Sequence, residues 1–317
     1  MTVSNEARKI SFHGEGGTLL GIHMVNLFLA LVTLGVYFFW GRVKLRNYLW
    51  GQMEFEGDRL SYHGTGKETF LGWLKAMGFF IIPYVILKDG PAWIGAGKIL
   101  IAVGALLSGL LILVFIPMAV IGTRRYRLSR TAWRGIRFSF REHWRSYMPL
   151  FLKGGFLNLI TLGLYSPYYT VKREKFLIAN TYVGNQNFDF DGKGEDLFKS
   201  FIKAWLLFIP TLGLSFIWYA VKKTIYIWDH TTFGGSRFQC YVTFGGMVKV
   251  SMMNMLLVLF TLGFGYSWAQ VRSINYLVDH LTLNGPADFE TLQQEAQSVN
   301  ATGEELGSFL DMDFDLG

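Results

Sequence analysis

One cysteine, Cys240, is present in 317 residues, which excludes an intramolecular disulfide framework and any cysteine-rich metal site. Charge is scarce as well. Only 17% of the residues are Asp, Glu, Lys or Arg, against about 25% in a soluble domain, so the chain lacks the polar surface it would need in water. Motifs for chemistry are missing too: no His-Glu-x-x-His and no Gly-x-Ser-x-Gly occurs. Gly64-Thr-Gly-Lys-Glu-Thr is not a phosphate-binding loop, because Ser61 stands where its first glycine belongs and Glu68 where Ser or Thr is required. His13 and His63 each precede a glycine in a turn. The matching positions further along are Arg141, Asp191 and Tyr241, so these histidines read as solvated strand-end residues and not as metal ligands. The expectation is a protein that is not an enzyme and carries no cofactor or metal.

What is there is apolar. Hydrophobic residues make up 51% of the chain and aromatic residues 17%. Thr18 to Gly41 and Ile99 to Thr123 contain no Asp, Glu, Lys or Arg, and a bilayer span needs roughly 20 mainly apolar residues. Val250 to Val271 is a third such run, while Gly154 to Val171 and Ala204 to Val221 are marginal in length. The composition predicts a polytopic α-helical membrane protein. The polar N-terminal stretch and the lack of a small-residue site after the first apolar run read against a cleaved secretory signal. Net charge is +7, but Pro286 to Gly317 holds eight acids and no Lys or Arg. The layout is a basic body, residues 1–285, with an acidic tail, residues 286–317, that reads as disordered.

The body is repetitive. Thr-Leu-Gly occurs at Thr33, Thr161, Thr211 and Thr261, and an aromatic stands fifteen residues after each Thr, at Tyr48, Phe176, Tyr226 and Tyr276. Basic residues precede each aromatic, and a glycine follows it by eight or nine residues. A degenerate copy fills the gap around Arg124 to Arg127 and Gly135. Turn segments at Phe12, Tyr62, Phe140, Phe190 and Cys240 are spaced by 50, 78, 50 and 50 residues. Five units follow, at about 12–61, 62–139, 140–189, 190–239 and 240–285, the second with an insertion of about 28 residues.

Met53 to Tyr62 alternates apolar and polar residues around a Gly-Asp pair, the pattern of a β-hairpin. Each unit is therefore expected to be helix, break, helix and hairpin, with the hairpins forming a sheet-like cytoplasmic cap. Basic loops stay cytoplasmic, and single spans would alternate the clusters between sides, so an even number of crossings per unit is expected. Thr18 to Thr33 would reach only about 24 Å as a helix, short of a core of about 30 Å. Short hairpins breaking at Thr33 and Gly35, Thr161 and Gly163, Thr211 and Gly213, and Thr261 and Gly263 answer that shortfall. The alternative, with Thr-Leu-Gly inside a continuous helix and glycine as a packing residue, stays open.

The Phe-His-Gly-x-Gly segment at Phe12, the run from Thr33 through Trp40, Val43, Lys44, Arg46 and Tyr48 to Tyr62-His-Gly-Thr-Gly, and their repetition resemble the YjgN-like family of bacterial inner-membrane proteins, a domain of unknown function. The resemblance covers Ile10 to about Phe289 and is most specific over Phe12 to Gly66. The fourth and fifth units lack its His-Gly-x-Gly motif and Trp-x-x-Val-Lys-x-Arg spacing, and the acidic tail falls outside it. It implies an inner-membrane location without an assigned activity, and a weak link to membrane-linked metallopeptidases as partners.

The basic clusters are the candidate binding residues: Arg42, Lys44, Arg46, Arg125, Arg127, Lys172, Arg173, Lys222, Lys223 and Arg272. They read first as anchors that reach the headgroups, and second as a mouth that gathers phosphate or carboxylate groups of a lipid headgroup or anionic solute. Nucleic acid is not expected, since Tyr37, Phe38, Phe39 and Trp40 run into a bilayer-length apolar segment and fit an interfacial belt. The expected location is the bacterial inner membrane, multi-pass, with both termini cytoplasmic. The expected role is transport or handling of an anionic solute or lipid; the alternative is a non-catalytic scaffold for a membrane protein partner such as a protease.

Overall fold

The computed structural model describes residues 7–286 together with Phe289 and Leu292; the rest of the acidic tail lies outside the described residues. The first unit runs β1 (Arg8–Phe12), α1 (Gly16–Val32), α2 (Phe38–Gly51) and β2 (Met53–Phe55). The second is β3 (Asp58–Tyr62), α3 (Gly66–Ala76), a π-helical turn (Met77–Ile81), α4 (Ile82–Trp93), α5 (Lys98–Ser129) and β4 (Thr131–Trp133). The third comprises β5 (Ile136–Phe140), α6 (Trp144–Ile160), α7 (Ser166–Ala179) and β6 (Thr181–Val183). The fourth comprises β7 (Gln186–Phe190), α8 (Gly194–Leu206), α9 (Leu214–Asp229) and β8 (Thr231–Phe233). The fifth is β9 (Ser236–Cys240), α10 (Phe244–Phe260), α11 (Tyr266–Asp279) and β10 (Leu281–Asn284).

The strands close into an antiparallel barrel of ten, with β1 pairing both β2 and β10. Arg8 opposes Leu283 across the closure just as Ser236 opposes Phe233 across a hairpin turn. The first and last strands thus meet where the symmetry would put one more turn. Glu56-Gly57, Arg134-Gly135 and Gly234-Gly235 take positive φ at both positions, the geometry of two-residue turns whose twist matches the strands.

Two inward belts fill the barrel. One contains the directly opposed pairs Ile10–Phe55, Leu60–Trp133, Phe138–Val183, Phe188–Phe233 and Phe238–Leu283, all members of a single apolar cluster or packed against it. The second, nearer the helices, pairs Phe12 with Met53, Tyr62 with Thr131, Phe140 with Thr181, Phe190 with Thr231 and Cys240 with Leu281. The threonines are satisfied locally: Thr131, Thr181 and Thr231 donate to Arg127 O, Leu177 O and Ile227 O at the ends of the preceding helices. The alternate strand positions, such as Lys9, Arg59, Arg137, Asn187 and Arg237, are exposed. Apolar-in, polar-out alternation is what a half-buried strand requires.

The Phe-x-Gly motif has a packing cause. A side chain on Gly14, Gly64 or Gly192 would collide with the ring of Phe12, Tyr62 or Phe190, which folds back over it. In the fifth unit Cys240 replaces the ring, and Val242 occupies the glycine position.

Each Thr-Leu-Gly closes one helix and opens the next. The hydroxyls of Thr33, Thr161, Thr211 and Thr261 donate to the carbonyls of Leu29, Leu157, Leu207 and Leu257. The same oxygens accept from the N–H groups of Tyr37, Tyr165, Ser215 and Gly265. The leucine and glycine between both take left-handed φ, for example 52° at Leu34 and 91° at Gly35. Glycine suits that region, and leucine accepts it at a cost in strain.

The fold differs from the expected polytopic α-helical protein with a sheet-like cap. The sheet is a closed barrel, and among the described residues only two helical stretches, Gly66–Trp93 and Lys98–Ser129, are long and apolar enough to cross a membrane. The turns cut the other apolar runs into helices of at most 17 residues, about 25 Å. Closure depends on pairing between Arg8 and Leu283, at opposite ends of the sequence, which local alternation cannot reveal.

Candidate functional site

The second helix of each unit packs its barrel-side half against the first strand of the next: α2 on β3, α5 on β5, α7 on β7, α9 on β9 and α11 on β1. Those halves carry the basic residues. Arg42 stacks over the Phe38 ring at 4.1 Å. Lys44, Lys172 and Lys222 are exposed, whereas Arg46, Arg125, Arg127, Arg173, Lys223 and Arg272 are partly buried. Lys172 Nζ donates to the Tyr165 hydroxyl at 2.9 Å, Arg173 pairs with Glu174 at 2.7 Å, and Arg272 donates to Asn254 Oδ1 at 3.3 Å. The cations therefore sit on successive helices around the ring, and Arg42, Lys172, Arg173 and Arg272 are engaged within their own units.

One cross-unit meeting stands out. Arg124, a residue of the same basic stretch, donates across to the end of α7 and the start of β6, reaching Leu177 O at 3.3 Å and Thr181 Oγ1 at 3.1 Å. There it joins the electrostatic neighbourhood of Arg173 and Glu174. A second network ties α3 to the end of α5. Glu68 accepts from Arg130 at 2.8 Å and from the Tyr126 hydroxyl at 3.0 Å, and completes a capping box with Thr65. The repeat offered a clue to that role. Tyr48, Tyr226 and Tyr276, at positions equivalent to Tyr126, use their hydroxyls to hold both the N–H and the C=O of Glu15, Lys193 and Thr243 just before the unit's first helix. These tyrosines brace the barrel-to-helix junction.

His13 lies 3.1 Å from Glu54, and His63 contacts Ser61. Among the described residues no group of three His, Cys, Asp or Glu side chains is placed to hold a metal. A small groove between α4 and α5 is lined by Phe80, Ile81, Tyr84, Leu111, Ile112 and Phe115. It contains none of the cations.

Cys240 is buried at the barrel wall, its backbone N–H bonded to Asp229 Oδ1 at 2.8 Å. Burial pushes the thiol pKa up. Because the thiolate is the reactive form, Cys240 is expected to react with a maleimide at pH 8 at least tenfold more slowly than after denaturation. Raising the pH should speed the native reaction. Equal native and denatured rates would contradict this placement.

A family profile described as a bacterial protein of unknown function (DUF898) matches residues 7–222 and 206–309. Among curated proteins, the inner membrane protein YjgN of Escherichia coli is 37% identical over 130 residues, which is 41% of this chain and 30% of that protein. The inner membrane protein YjgN of Salmonella typhimurium is 30% identical over 136 residues, 43% of this chain and 32% of its own length. The matched stretch thus spans about a third of these relatives. No solved structure matches. Both relatives are named inner membrane proteins, which supports an inner-membrane location for this chain. With the family profile matching most of its length, the chain belongs to the bacterial family of unknown function DUF898.

Proposed function

We propose that the protein handles a lipid with an anionic headgroup in the inner membrane. The observation that carries this reading is the polarity along single helices. Leu34, Leu162 and Leu212, at the hairpin tips, are 94%, 90% and 94% exposed. The exposed Lys44, Lys172 and Lys222 follow ten residues later, about 9–12 Å along the helix that leaves each tip. An apolar end followed by a cation suits an acyl chain and its phosphate, and each cation near an anionic surface contributes about 1 kcal/mol. No path for solutes runs along the barrel axis in this reading, because the first inner belt is apolar and packed into a single cluster.

The test is lipid retention. Full-length protein is reconstituted with equal phosphatidylglycerol and phosphatidylcholine, extracted in mild detergent, and its bound lipids quantified. Retained lipid should be enriched roughly tenfold in phosphatidylglycerol. Lys44→Ala/Lys172→Ala/Lys222→Ala, or high salt, should remove most of that enrichment. Retention matching the bulk ratio in wild-type protein would rule the reading out. A scaffold role is the second reading, favoured by the packed barrel and its polar exterior.

A further inference from the structure

Three of the five junctions between units are built on one size rule. Where α2 meets α3, the Trp40 ring covers Gly66; where α7 meets α8, Tyr168 covers Gly194; where α11 meets α1, Trp268 covers Gly16. A side chain at any of these glycines would strike the ring. Where α5 meets α6 the sizes are exchanged. The glycine position holds Trp144, and the aromatic position holds Met118, against whose cluster Trp144 packs. Ring contacts then carry three junctions outward: Phe39–Phe70 at 5.4 Å, Tyr168–Phe198 at 5.4 Å and His23–Tyr266 at 5.8 Å.

The junction of α9 with α10 breaks the rule. Its equivalent positions are Trp218 and Phe244, both aromatic, and the next positions on α10 are Val248 and Ser251. No ring contact between the two helices occurs among the described residues. Two large side chains cannot both occupy the space of a ring over a glycine, and α9 and α10 touch less than any other pair of neighbouring helices. No residue of α10 is buried. Met252 and Met255, on the same side of α10 as Phe244, are exposed, and methionine adapts to irregular apolar partners. One turn from Trp218 on the same helix face stands the exposed Lys222.

We propose that the α9/α10 seam is the binding site for one anionic phospholipid, its acyl chain lying between Trp218, Phe244 and Met255 and its phosphate meeting Lys222. This rests on the lipid-handling reading and gives it one place out of five equivalent ones. Charge complementarity selects the occupant: a loosely packed apolar seam with a cation beside it matches a chain attached to a phosphate, whereas a neutral lipid would leave Lys222 unanswered.

The experiment uses full-length protein in bilayers doped with a phosphatidylglycerol analogue bearing a diazirine on its acyl chain, followed by peptide mapping. Labels should concentrate at least fivefold on the α9 and α10 peptides over those of the other junctions. Phe244→Gly restores the ring-over-glycine pair, lets the helices close, and should cut that labelling severalfold while leaving the melting temperature unchanged or higher. Gly16→Phe should open the α11/α1 junction and create labelling there, so the size rule is tested even if one variant folds poorly. Labels spread evenly over all five junctions, with phosphatidylglycerol still enriched in the retained lipid, would overturn the seam while the lipid-handling reading stands. Seam labelling by a phosphatidylcholine analogue as strong as by phosphatidylglycerol would instead overturn the anionic headgroup in both.

Discussion

Trp133→Ala is expected to destabilise the protein by about 3–5 kcal/mol. Trp133 is 4% exposed and faces Leu60 in the ten-membered inner belt. Its indole N–H donates to Phe55 O at 3.1 Å, and its ring lies 5.5 Å from those of both Phe55 and Phe289. Truncation removes the largest side chain of the belt, deletes a donor, and leaves a cavity in a barrel too short to collapse around it. Domains are stable by only about 5–15 kcal/mol, so the loss takes a large share of the total. Urea unfolding of detergent-solubilised protein, followed by far-UV circular dichroism, measures it. Trp133→Phe should recover more than half of the loss, because it keeps a ring in the belt. A midpoint for Trp133→Ala indistinguishable from wild type would mean that the belt is not the core.

Much of this arrangement is visible in the sequence once its repeat is recognised. Met53 to Tyr62 alternates apolar and polar residues around a Gly-Asp pair, and it forms β2, a two-residue turn and β3. Thr-Leu-Gly stands at the tip of each hairpin because threonine can serve both flanking helices while leucine and glycine reverse the chain. Other features depend on distances that no local pattern encodes. Arg8 pairs with Leu283, at the far end of the strand order. Ring-over-glycine junctions join residues from different units, such as Trp268 and Gly16, so their logic emerges only when the units are compared position by position. The basic residues were easy to find, but their partners were not. Arg124 reaches Thr181 across 57 residues, and Glu68 takes Arg130 from 62 residues away. A charge count sees the cations and misses that several are already engaged.

Phe289→Ala/Leu292→Ala is expected to cost about 4 kcal/mol, the sum of two partly relaxed truncations. A barrel of about eight strands is just filled by its own side chains, and ten strands enclose a wider interior. The inner belt of this barrel is uneven, with Val183 and Leu283 beside Trp133 and several phenylalanines. The missing volume comes from beyond β10. The Phe289 ring lies 5.3 Å from Phe55, 5.5 Å from Trp133 and 6.0 Å from Phe233, with the Arg8 guanidinium over its face at 4.8 Å. Leu292 is buried in the same cluster. The first residues after the last strand therefore act as a stopper for the barrel. Deleting everything after Pro286 should destabilise the protein by the same amount as the double substitution, because the stopper resides in these two side chains. Urea midpoints of wild type, the double variant and the truncation measure this directly. A truncation much less stable than the double variant would assign the stabilisation to the acidic residues instead; a double variant as stable as wild type would show that the barrel closes without its stopper.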